Sequence, residues 1–128
     1  MVEVKTYWAK IFVGLKIMDY SSIDFMLHDS LLIDFKYVAS ICHEYVNSEN
    51  LCVTFTETLF IYSDDGLNSY NGEPGVIIGL INYPRYPDSP EEIRRKTIEL
   101  AQILKRKCGQ KRLSIMFPDT TIMLDESE

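Results

Sequence analysis

The sequence predicts an α+β sandwich: a four-stranded antiparallel sheet with two helices packed on one face. Three observations lead there. Apolar periodicity marks six segments in the order β-α-β-β-α-β. A turn-rich stretch, Ser63–Gly72, joins the second and third strands as a long hairpin. Ser89-Pro90-Glu91-Glu92 is a strong helix-start signal: Ser89 can cap, Pro90 suits the first helical position, and Glu92 completes a capping box by reaching back to the Ser89 amide.

The first strand reads Tyr7–Lys16. Tyr7, Ala9, Ile11, Val13 and Leu15 share one face, while Trp8, Lys10, Phe12, Gly14 and Lys16 share the other. The first set is core. Trp8 and Phe12 make the second face apolar as well. The first helix is expected on the stripe Leu31, Phe35, Val38, Cys42 and Tyr45, capped by Asp29 or Ser30 and leaving at Asn47-Ser48-Glu49-Asn50.

Cys52–Tyr62 is rich in β-branched and aromatic residues and reads as the second strand. Glu57 has the parity of its apolar face. Pro74–Tyr83 is the third strand and the most apolar segment. The second helix follows on Ile93, Thr97, Leu100, Ala101, Leu104 and Cys108. Lys105, Arg106 and Lys107 favour its C-terminus, and Gly109 stops it. Arg112–Phe117 is the fourth strand. Thr121–Leu124 is a candidate short edge strand beyond the four.

Two crossovers around a central hairpin make this the ferredoxin-like arrangement, with the first and third strands central. Its helix-free sheet face should carry Trp8, Phe12, Thr54, Thr56, Phe60 and Tyr62. A single chain rarely leaves an apolar patch of more than a few hundred Å² uncovered, so self-association through that face is expected.

Composition limits the function. The 128 residues are 46% hydrophobic and 25% charged, ordinary values for a globular domain. One domain over 1–124 with an acidic tail, 125–128, is expected. The net charge of −6 disfavours nucleic acid, whose binding rests on cation–phosphate contacts. The longest apolar run, Gly75–Ile81, is far short of the ~20 residues a membrane helix needs. No secretory signal pattern opens the sequence, and a cytoplasmic location is expected. Three cysteines without regular spacing, Cys42, Cys52 and Cys108, suit reduced thiols. No metal or cofactor is expected. There is no CxxC or HExxH, Cys42 and His43 point about 100° apart on a helix, and no phosphate-binding glycine loop or GxSxG is present.

Carboxylates remain. Glu73 enters the third strand just before Pro74, and Tyr62 ends the second. A hairpin closed in register brings both to one end of the sheet, where a carboxylate can accept hydrogen bonds from a ligand or face a cation. The alternative is a solvated turn residue beside a packed tyrosine. Glu57 is costly inside a core unless paired, and Lys10, Lys16 or Arg112 are candidate partners. A bulge or strand twist would instead turn it to solvent. In Asn82-Tyr83-Pro84-Arg85-Tyr86-Pro87, Tyr83 can stack on a base and Arg85 can bind a carboxylate or phosphate. The same residues also make a stiff linker.

This layout resembles trimeric ferredoxin-like proteins of the PII signalling-like and divalent-cation-tolerance families, which bind small ligands between subunits. It also resembles phage-encoded S-adenosylmethionine lyases, which use a related trimeric fold. The resemblance covers Tyr7 to Phe117. The lyases carry a glutamate at the start of the third strand beside a tyrosine from the preceding strand, positions that Glu73 and Tyr62 match in kind. The resemblance implies a homo-oligomer, favouring a trimer, with a nucleotide-type ligand at subunit interfaces. Its most concrete form is cleavage of S-adenosylmethionine to methylthioadenosine and homoserine lactone, with Glu73 and Tyr62 as the catalytic pair; Glu57, Tyr83 and Arg85 are expected as ligand contacts on the reading of the residues above. Two other functions stay open: a nucleotide-signal sensor or sponge without chemistry, and a protein-interaction module using the open sheet face.

Overall fold

The computed structural model describes residues 1–18, 32–63 and 72–127. Seven elements run along the chain: β1 (Trp8–Gly14), α1 (Phe35–Glu49), β2 (Val53–Phe60), β3 (Glu73–Ile81), α2 (Pro90–Lys107), β4 (Leu113–Met116) and β5 (Thr121–Leu124). The architecture is α+β, with two helices and one five-stranded antiparallel sheet ordered β2-β3-β1-β4-β5. The expected four strands are all present, with β1 and β3 in the interior. The count of four is corrected to five. Pro118 and Asp119 turn the chain so that β5 pairs with β4, Leu113 opposite Leu124, and so covers an edge that β4 would otherwise expose.

Period-two alternation sorts the strands. Ala9, Ile11 and Val13 of β1, Val76, Ile78 and Leu80 of β3, and Leu113 and Ile115 of β4 all face one core. The helices close it with Val38, Ile41, Cys42 and Tyr45 from α1 and Leu100, Ala101 and Leu104 from α2. Each fully buried aliphatic side chain contributes about 1.5–3 kcal/mol of transfer free energy, so this single cluster is the main source of stability.

The helix ends follow local chemistry. Ser89 caps α2, its Oγ accepting from the Glu92 amide at 3.1 Å. The expected reciprocal bond from the Glu92 carboxylate is absent: Asp88 Oδ1 takes the Ser89 amide, and Glu92 grips Arg95 instead. At the other end Gly109 has φ +61°, and its amide and that of Gln110 turn back to the carbonyls of Arg106 and Lys105 at 3.3 and 2.9 Å. This is a complete Schellman motif, for which glycine's freedom in the left-handed region is the requirement.

Helix α1 starts later than its apolar stripe implies. Its cap is Asp34, accepting from the Lys36 amide at 2.9 Å. The expected caps Asp29 and Ser30 lie outside the described residues, as does Leu31 of the stripe. Phe35, placed in the stripe, is 39% exposed, its ring 6.2 Å from that of Phe55. The two helices are tied together by Lys96, whose Nζ reaches the Glu49 carbonyl at 2.9 Å and Asp88 Oδ2 at 2.7 Å. Among the described residues no helix is long and apolar enough to cross a membrane.

Candidate functional site

The helix-free face is open, as its alternation requires. Trp8, Phe12, Phe60, Ile77 and Met116 are half-buried on it, and Ile81 and Met123 are exposed. Its polar feature sits at one end. There the last residue of β1, the last of β2 and the first of β3 come together: Gly14 pairs with Gly75, and Phe60 with Glu73. Register carries Arg112, just ahead of β4, to the same level, because Phe12 pairs with Ser114. A cleft of about 230 Å³ opens among these residues, with Phe12, Phe60, Tyr62, Glu73, Gln110 and Arg112 in its walls.

The hairpin does bring the predicted pair together. Tyr62 Oη donates to Glu73 Oε2 at 3.3 Å. That is long for a hydroxyl–carboxylate bond, which normally falls below about 3.0 Å, and contacts of this kind often tighten only around a ligand. Tyr62 is exposed and Glu73 half-buried. The aromatic wall is built by Phe12 and Phe60, whose rings meet edge-on at 6.3 Å and 64°. A side chain at Gly75 would strike the Phe60 ring, so its bareness lets that ring lie over β3.

Gln110 is 7% exposed. Its Nε2 donates to the Lys16 carbonyl at 2.8 Å and the Cys108 carbonyl at 3.0 Å. Both amide hydrogens are thereby used, which orients the side chain and leaves Oε1 turned to Gly14. A Cβ on Gly14 would stand 2.5 Å from Glu73 Oε1 and 3.0 Å from Gln110 Oε1. Two acceptor oxygens therefore converge over a bare stretch of strand. Arg112 shares the cleft with Glu73, yet the two form no ion pair, and Arg112 has none among the described residues. The arrangement offers acceptors for a donor-bearing cation, a guanidinium for an anion, and aromatic surface between.

The other predicted residues lie elsewhere in the chain. Glu57 keeps the parity assigned to it, opposite Val76, but it is exposed. It sits on the edge strand, where the same face loses its cover: Phe55 is half-buried and Leu59 49% exposed. Solvation removes the need for the expected partner, and neither Lys10, Lys16 nor Arg112 pairs with it. Tyr83 and Arg85 follow the far end of β3. Eight steps of about 3.3 Å put that end roughly 26 Å from Glu73. There Arg85 lies over the Tyr86 ring at 5.7 Å, Tyr83 and Tyr86 tilt together at 6.0 Å, and all three are exposed. Within one chain they do not join the cleft.

Sequence reasoning missed Gln110 and Arg112 as cleft residues. The signal for Arg112 was available: once β1 and β4 are neighbours, alternation puts Arg112, Ser114 and Met116 on the open face beside Gly14 and Phe12. Gln110 had no comparable signal, since its place depends on the Schellman turn. The thiols offer no nucleophile at this site. Burial pushes Cys42 and Cys108 up to about 12, Cys108 with a smaller contribution from Cys42 beside it. No group of three metal-ligating side chains occurs among the described residues.

No protein-family model matches the sequence, and no curated protein matches it. Solved structures do match in fold. A phage SAM lyase in the apo state superposes with a TM-score of 0.71 and 17% identity, over 93% of this chain and 88% of that one. A phage SAM lyase in complex with S-methyl-5′-thioadenosine gives a TM-score of 0.72 and 15% identity, over 98% of this chain and 93% of that one. The chain thus has the fold of phage SAM lyases along nearly its whole length, at a sequence identity that speaks for the fold alone.

Proposed function

We propose that the protein is a ferredoxin-like ligand-binding oligomer, with β5 appended to the βαββαβ core, and that its cleft takes S-adenosylmethionine as a lyase substrate. The observation that carries this is the Tyr62–Glu73 contact at the mouth of an aromatic-walled cleft. It occurs in a fold that matches a lyase structure holding S-methyl-5′-thioadenosine.

The reaction asks little of a protein. One oxygen of the substrate's carboxylate attacks Cγ of its own methionine chain. The Cγ–S bond breaks and sulfur keeps the bonding pair, giving neutral methylthioadenosine and a five-membered lactone. Sulfonium and carboxylate charges cancel as the transition state forms, so apolar walls such as Phe12 and Phe60 favour it. The polar groups fold the chain into attack geometry. Glu73 faces the positive end of the substrate, and Tyr62 fixes the Glu73 carboxylate. No proton needs to move.

A second copy covers the open face in this reading. Trp8, Ile77, Met116 and the exposed Ile81 and Met123 are the apolar surface it would bury. Tyr83 and Arg85 then reach a cleft only as residues lent by a neighbouring copy.

Incubation with S-adenosylmethionine, read by mass spectrometry, should yield methylthioadenosine and homoserine lactone in equal amounts. Glu73→Gln should slow formation of both at least tenfold without a change in melting temperature. A folded wild-type protein that returns the substrate intact but is stabilised by it would make this a sensor or sponge. No product and no stabilisation would remove the reading.

A further inference from the structure

The geometry points to Arg112 and Gln110 as the pair that reads the α-amino-acid end of a ligand: the Arg112 guanidinium takes its carboxylate, and Gln110 Oε1 takes its ammonium together with Glu73 Oε1. The nucleoside part of the assignment rests on the function proposed above. The amino-acid part rests on the cleft alone.

The polar lining is divided by charge. Among the described residues, the side-chain oxygens nearest Gly14 are two acceptors. Glu73 Oε2 is engaged by Tyr62, which leaves Oε1, and both hydrogens of the Gln110 amide are spent on main-chain carbonyls, which leaves its Oε1. These two oxygens point at the same bare spot over Gly14. An ammonium group, with three donors and a positive charge, suits such a spot. A phosphate or a second carboxylate does not.

Arg112 directly precedes β4, where the register Phe12–Ser114 continued by two residues brings it across from Gly14, and adjacent strands are about 4.8 Å apart. A guanidinium there meets a carboxylate carried on the same carbon as that ammonium. Arg112 has not neutralised Glu73, although both line one small cleft. Opposite charges held apart in this way match a zwitterion. They match a neutral nucleoside poorly. During lactone formation the ammonium keeps its charge throughout, so the acceptor pair can hold it from substrate to product. Arg112 need hold only one carboxylate oxygen, leaving the other to attack.

Three ligands dissect the assignment. S-adenosylhomocysteine carries nucleoside and amino-acid end without the sulfonium, S-methyl-5′-thioadenosine lacks the amino-acid end, and L-methionine lacks the nucleoside. Calorimetric binding to wild type and Arg112→Gln decides between the outcomes. Arg112 is exposed and unpaired among the described residues, so the variant should fold with an unchanged melting temperature. Wild type should bind S-adenosylhomocysteine about ten- to a hundredfold more tightly than S-methyl-5′-thioadenosine, the range a charge-assisted hydrogen bond supplies. Arg112→Gln should cut that preference about tenfold, by removing the carboxylate contact while Glu73 and Gln110 still hold the ammonium, and leave S-methyl-5′-thioadenosine affinity unchanged. Equal binding of the two nucleosides by wild type, or a preference that the substitution leaves undiminished, overturns the inference and leaves the nucleoside reading standing. Binding of L-methionine lost in Arg112→Gln, with no nucleoside bound, overturns the lyase reading and keeps the inference. Failure of all three to bind overturns both.

Discussion

Glu73 Oε1 lies 2.5 Å from the point where a Cβ on Gly14 would stand. The end of β1 is therefore kept bare for a side chain that arrives from β3. Gly14→Ala should displace the Glu73 carboxylate and crowd Gln110. Both are flexible ends, so the stability cost should sit near the bottom of the ~1–3 kcal/mol range for overpacking. The effect on ligand should be larger: affinity for S-adenosylhomocysteine should fall at least tenfold. Melting curves and calorimetry on the same sample check the split, and an unchanged affinity would show that the acceptor pair plays no part in binding.

Asp88 is held below the usual carboxylate range by its hydrogen bond to Lys96, with further help from the Ser89 amide, against an opposing effect of burial. A folded-state value below the unfolded one near 3.9 means that the stabilisation is present above that pH and is lost as pH falls through the folded value. Asp88→Asn keeps an oxygen for Ser89 and loses the ion pair. At pH 7 the variant should be less stable by about 0.5–1 kcal/mol, the scale of a partly exposed pair. Urea melts at stepped pH should show the two proteins converging below about pH 4. A gap that persists in acid would assign the effect to packing.

Cys42 and Cys108 are 3% and 0% exposed, and burial raises both thiols to about 12. Only about one part in ten thousand of such a thiol is ionised at pH 8, and the thiolate is the reactive form. Peptide mapping after iodoacetamide at pH 8 should find both unmodified in the native protein and fully modified in urea. Prompt native labelling of either would mean that the core between α1 and α2 opens easily.

Much of the fold was legible because several local signals agreed. The Ser89-Pro90-Glu91-Glu92 start, the basic last turn and Gly109 bound α2 as observed. Alternation assigned both faces of β1, and the two-sided apolar character of Trp8 and Phe12 located the open face. Where competition among partners decides, sequence reasoning falls short. Glu92 had two available roles, and Arg95 won it. The start of α1 went to Asp34, the residue next to the helix. The fifth strand is four residues long, and its pairing with β4 depends on a turn of little intrinsic signal. The Tyr62–Glu73 contact was readable because a hairpin in register links the two residues. Arg112 joins through β1–β4 pairing, from which alternation could have placed it, whereas Gln110 depends on a helix-terminal turn that no spacing along the chain encodes.

The turn at Gly109 is at once a stop signal for α2 and the mount for a wall of the cleft, since the next residue is Gln110. With the role proposed for Gln110, backbone conformation at a single carbon is wired to recognition. Variants at Gly109 that still accumulate in the cell could be deaf to their ligand, and a survey scoring abundance alone would pass them as healthy.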